Sequence, residues 1–113
     1  MNILLHQLFG TWRNTDGKML TDFNIHQFGN NYDLARSMFT IYNSENNEIF
    51  YEWHGKFSIN NYPDSISEIS LDEMFKTADK PEYENLKIWA IDDIQMIIQL
   101  GNGTRLIFNK LGS

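Results

Sequence analysis

Cysteine is absent from all 113 residues, and this one absence excludes a disulfide framework, a thiolate metal cluster and a thiol nucleophile together. A reducing, cytoplasmic compartment is the corresponding expectation. No segment approaches the roughly 18 uninterrupted apolar residues that a spanning helix needs, so no membrane association is expected. Residues Met1 to Phe9 carry no basic region and hold His6 and Gln7 inside their apolar run. They are expected to lead into folded structure rather than to form a signal peptide. Positive charge is scarce: 9 basic against 15 acidic residues leave a formal net charge of −6. The basic residues Arg13, Lys18, Arg36, Lys56, Lys76, Lys80, Lys87, Arg105 and Lys110 are dispersed singly, which disfavours nucleic acid as a partner.

Catalytic and metal-binding signatures are missing as well. There is no Gly-x-Ser-x-Gly elbow, phosphate loop or dinucleotide fingerprint, and Gly101-x-Gly103 reads as a hairpin turn. The paired acids Asp72-Glu73 and Asp92-Asp93 fall in turn-like segments. His6, His26 and His54 share no ligand spacing, so neither a metal nor a cofactor is expected. An enzyme is therefore not expected; an isomerase or cyclase would require a buried, perturbed ionisable residue that sequence does not reveal.

What is present is alternation. A chain of this length makes one domain, 1–113, able to bury roughly 65–70% of its unfolded surface without staples. Between Glu48 and Ile59, Ile49, Tyr51, Trp53, Phe57 and Ile59 fall on one side and Glu48, Glu52, His54, Lys56 and Ser58 on the other, with only Phe50 out of step. That period of two is a half-buried strand, and Gly55 on its apolar side marks a bend or bulge. Residues Lys18 to Phe28 form a second strand, followed by a turn at Gly29-Asn30-Asn31. Tyr32 to Tyr42 has strand composition, but both faces are mixed, so a bulge that switches the inward face is one expectation, and its register is open. Leu86–Ile91, Ile94–Leu100 and Thr104–Leu111 form a three-strand meander. The Asn102-Gly103 pair there predicts a type I′ turn. The polar stretch 60–84 contains both prolines, Pro63 and Pro81. It is expected to hold a short strand near Ile66–Ile69, a capping box at Ser70-x-x-Glu73 starting a helical turn, and a loop over one barrel end.

With Gly10 to Asn14 as the first, the strands number about eight in up-and-down order, and no long amphipathic helix is available to cover a sheet. Closure into an all-β antiparallel barrel removes both exposed edges. The opening Leu8-Phe9-Gly10-Thr11-Trp12 resembles the short helical turn and Gly-x-Trp that begin the first strand of lipocalin-like (calycin) barrels. The chain is shorter than a full lipocalin and lacks its C-terminal helix, which points to a minimal version of that fold. The resemblance implies that Gly10 and Trp12 help close one barrel end, with a basic side chain from the last strand across the indole. Arg105 is the first candidate for that partner and Lys110 the second.

The functional expectation that follows is non-enzymatic binding of a small hydrophobic or amphipathic ligand, with Tyr51, Trp53 and Phe57 as cavity walls and Arg36 as its anion partner. The same aromatics can equally fill an interior only just wide enough for one small ligand. The alternative is an acidic cytoplasmic module, such as an inhibitor or toxin-neutralising immunity protein, that docks on a basic protein partner. A monomer or a homodimer is expected, with any apolar stripe on Tyr32–Tyr42 as the dimer contact.

Overall fold

The structure is a computed structural model and describes residues 3–63 and 66–112. Eight strands follow in order: β1 (Gly10–Asp16), β2 (Met19–Phe28), β3 (Asn31–Asn43), β4 (Ile49–Asn60), β5 (Ser67–Lys76), β6 (Lys87–Ile91), β7 (Gln95–Gln99) and β8 (Arg105–Gly112). Each is antiparallel to the next, and β8 returns to β1, closing an up-and-down barrel. Short 3-10 turns at Leu5–Leu8 and Pro81–Tyr83 complete it.

Alternation drives this architecture. On β4, Tyr51, Trp53 and Phe57 are fully buried while Phe50 stands 57% exposed. The β4–β5 register slips between His54 and Lys56, at Gly55, so the glycine does mark a bulge. On β3 the inward face is Ala35, Ser37, Phe39 and Ile41 throughout, with Arg36 and Met38 outside. The expected mid-strand switch does not occur, because two inward positions are small rather than outward. The outer face of β3 carries Leu34, Arg36, Met38, Thr40 and Tyr42, which is no apolar stripe; the Tyr32 side chain lies outside the described residues.

Two further expectations are corrected. Ser70-x-x-Glu73 does not cap a helix: β5 runs unbroken from Ser67 to Lys76. Glu73 adopts a positive φ of 51° within it, so a kink in the strand takes the place of a helical turn. The Asn102-Gly103 hairpin is not type I′, since only Gly103 there has positive φ among the last two turn residues (φ 90°). Gly103 N–H donates to Leu100 O at 2.9 Å and Leu100 N–H to Thr104 O at 2.7 Å, the pattern of a three-residue loop ending in a glycine bulge. This wider loop lets Gly101 N–H reach Glu82 O at 2.9 Å.

The interior is built from aromatic rings. Phe23 sits near the centre, 5.5 Å from Phe39, 5.7 Å from Trp53, 6.1 Å from Phe57 and 6.4 Å from Phe108 between ring centroids. Phe39 and Trp53 stack at 5.6 Å with planes 4° apart. These spacings are those of direct aromatic contact. Outside the barrel, Arg13 makes a forked pair with Asp22 (2.7 and 3.0 Å) and Tyr42 donates to the same carboxylate at 2.8 Å. That fork ties β1, β2 and β3 together. The seam between β5 and β6 is thin, with only Ser67↔Ile88 and Glu68↔Lys87 paired among the described residues.

Candidate functional site

The two ends of the barrel differ. One end is stoppered by the N-terminal segment. Gly10, at φ 132°, adopts a conformation that costs an L side chain heavily, and this turns the chain from the 3-10 turn into β1. Trp12 is fully buried, and its Nε1–H donates to Leu8 O at 2.8 Å. Asn61 then fastens the segment from across the opening. Its amide accepts from Ile3 N–H and donates to Ile3 O, both at 2.9 Å.

The cation over Trp12 is Lys110, with Nζ 5.2 Å from the ring. Arg105 instead lies 3.6 Å over Trp89, which corrects the first-choice assignment. Parity explains it. Phe108 and Lys110 share the inner side of β8, and Lys110 pairs directly with Trp12; Arg105 projects outward with Ile107 and Asn109.

Arg36 is also displaced from its expected place. It is exposed on the outside of β3, with Cζ 5.1 Å from the Phe28 ring, so it marks no polar end of an interior cavity. It lines an outer cleft of about 360 Å³ with His26, His54, Lys56, Glu73 and Phe75, among others. That cleft carries its own counter-charge, Lys56 pairing with Glu73 at 2.6 Å, and the His54 ring shares a hydrogen bond with Glu52 at 2.8 Å. Tyr51, Trp53 and Phe57 all belong to the buried core, where Phe23 touches Trp53 and Phe57 and Tyr83 covers Tyr51.

The opposite end is open. A strap formed by residues 77–86 crosses part of it, held by Trp53 Nε1–H to Tyr83 O (2.9 Å) and by Lys76, which pairs with Glu84 at 2.8 Å and Asp79 at 3.0 Å. Tyr83 lays its ring 5.4 Å from Tyr51 and 5.8 Å from Phe39. Beside the strap lies a cleft of about 540 Å³. Its walls are Met19, Thr21, Ile41, Leu100 and Leu106 from the barrel, with Phe50 and Tyr83 beside them, and its rim is Asn14, Asp16, Asn102 and Thr104. Sequence reasoning missed these residues; the signal was a loop able to cover one end, which drew attention to the loop rather than to what it leaves uncovered.

Tyr51 borders this mouth. It faces Ile41 across the β3–β4 ladder and meets Tyr83 with the ring planes tilted by 31°. Its hydroxyl is buried with no hydrogen-bond partner among the described residues. Burial pushes its pKa up to about 12, with the negative charge of Glu84 as the next cause. Burial raises Tyr83 and Tyr42 as well, aided by Glu82 and by the hydrogen bond to Asp22 respectively. Since the unfolded chain releases these protons near pH 10 while the folded chain retains them, the unfolded state binds fewer protons above that pH. Stability is expected to hold below about pH 10 and to fall progressively up to about pH 12. Tyr51→Phe should flatten that alkaline loss and leave neutral-pH stability equal or higher, read by urea midpoints at pH 7, 10 and 11. An unchanged alkaline slope would contradict the buried-hydroxyl account.

Among the described residues no group of His, Asp and Glu side chains gathers as a metal site requires, and no helix is long and apolar enough to cross a membrane. Comparison with protein-family models and with curated protein sequences gives no match.

Proposed function

We propose that this barrel binds a small hydrophobic or amphipathic molecule, without transforming it, in its open mouth, as the resemblance to lipocalin-like barrels implies. One observation carries the reading: an apolar-walled cleft of about 540 Å³ at the barrel end that the strap only partly crosses. That volume falls within the roughly 300–1,000 Å³ of small-molecule sites, whose walls are mostly apolar with a few polar groups at fixed points. The ligand is held by Met19, Ile41, Leu100, Leu106 and Tyr83, not by Tyr51, Trp53, Phe57 and Arg36. Absence of cysteine supports a cytoplasmic setting. The alternative, an acidic face for a basic protein, has less support. Asp22, Glu45, Glu68, Glu73, Asp79 and Glu84 each already pair with a cation of the same chain.

Titration with the neutral lipophilic dye N-phenyl-1-naphthylamine tests the proposal. Dye emission should rise on binding, and Leu106→Trp, which fills the mouth, should weaken affinity at least tenfold. Met19→Trp, on β2, repeats the test should the first variant disturb β8. Equal affinity in the parent and in both folded variants would sink the proposal.

A further inference from the structure

The charge pattern of the mouth says more than its shape. Four neutral polar side chains, Asn14, Thr21, Asn102 and Thr104, line it, and Asp16 is its one ionised group. No Lys, Arg or His belongs to the lining. Two cations close in sequence to lining residues are already engaged: Lys80 lies 4.9 Å over the Phe50 ring, and Lys18 pairs with Glu45 at 3.1 Å. Of the strap acids, Glu84 and Asp79 are held by Lys76, and Glu82 lines a separate cleft with Pro81, Asn85, Gly101 and Asn102. Asp16 sits exposed at the end of β1, and its carboxylate has no hydrogen-bond or ion-pair partner among the described residues.

We infer that the mouth selects amphiphiles whose polar head is cationic, such as a primary ammonium on a short alkyl chain, with the ammonium at Asp16 and the chain along Met19, Ile41, Leu100 and Leu106. This inference rests on the ligand-binding reading and narrows it to one class of head group. The physical basis is asymmetry. An ammonium at the rim gains an opposite charge and neutral amide and hydroxyl oxygens as acceptors. A carboxylate there meets a like charge and finds no cation to offset it. Because Asp16 is exposed, the effect is of surface-pair size and is screened by salt. The overall charge of −6 acts in the same direction.

Three probes of equal chain length separate the possibilities: n-octylammonium, n-octanol and octanoate, each titrated into isotopically labelled protein with amide chemical shifts as the readout. At low ionic strength octylammonium should bind about five- to tenfold tighter than octanoate, with octanol between them. The shifts should centre on Asn14, Asp16, Asn102 and Leu106. In 0.5 M NaCl the preference should shrink to about twofold or less. Asp16→Asn should abolish the preference for octylammonium over octanol, both titrated into the same variant. Octanol binding at the mouth with octylammonium no tighter than octanoate would overturn the inference and leave the binding site standing. No shift at the mouth with any of the three would overturn both.

Discussion

Replacing Trp53 by alanine is expected to lower the free energy of unfolding by about 3–5 kcal/mol. This side chain has no exposed surface, stacks on Phe39 and meets Phe23 edge-on at 5.7 Å. Its removal therefore leaves a cavity walled by rings that the closed sheet holds in place, so collapse cannot fill it. It also deletes the indole donor to Tyr83 O, leaving Gly101 N–H to Glu82 O to hold that part of the strap. A domain of this size has about 5–15 kcal/mol in total, so the loss amounts to a large share of the margin. Trp53→Phe keeps most of the ring volume and should cost about 1–2 kcal/mol, the size of one hydrogen bond with a modest packing defect. Urea denaturation followed by far-ultraviolet circular dichroism measures both. A loss below about 1 kcal/mol for Trp53→Ala would mean that the interior is not the close-packed aromatic core described.

Trp12→Ala should be comparably severe, again about 3–5 kcal/mol, because the indole both fills the stoppered end and binds Leu8 O at 2.8 Å. The cations divide differently. Lys110→Met removes one ammonium over the ring and is expected to cost about 0.5–1 kcal/mol. Arg105→Met is expected to leave Trp12 undisturbed, because the guanidinium lies on Trp89 on the outer surface. Near-ultraviolet circular dichroism separates the two tryptophan environments. Arg105→Met costing more than Lys110→Met while altering the Trp12 band would reverse the assignment.

The barrel was legible in the sequence because alternation was written strongly in β4 and in the C-terminal meander, and because Gly10 and Trp12 marked the start of the first strand. Where legibility failed, the reasons are local. Ala35 and Ser37 are inward but small and polar enough to pass for outward positions, so β3 looked two-faced. Counting in steps of two from Phe39 places Arg36 outside, and counting from Phe108 places Lys110 inside and Arg105 out. Parity anchored on one certain core aromatic is thus a better guide than charge type. Ser70-x-x-Glu73 matched a capping pattern, but pairing with β4 outweighed a single turn of local helix preference. The mouth could not be read from sequence, since Met19, Ile41, Leu100 and Leu106 are ordinary inward residues of four different segments and become a site only where the aromatic packing stops.

The thin β5–β6 seam leaves the outer margin of β5 beyond Ile69 without a neighbouring strand, a position that in a flat ribbon would recruit the backbone of another chain. Here Glu73 twists that margin through its positive φ, and Asp72, Glu73 and Lys76 put charge along it. A bent, charged border is a poor template for strand addition. The molecule can therefore leave its closure half zipped on that side and still resist growth into fibres when concentrated.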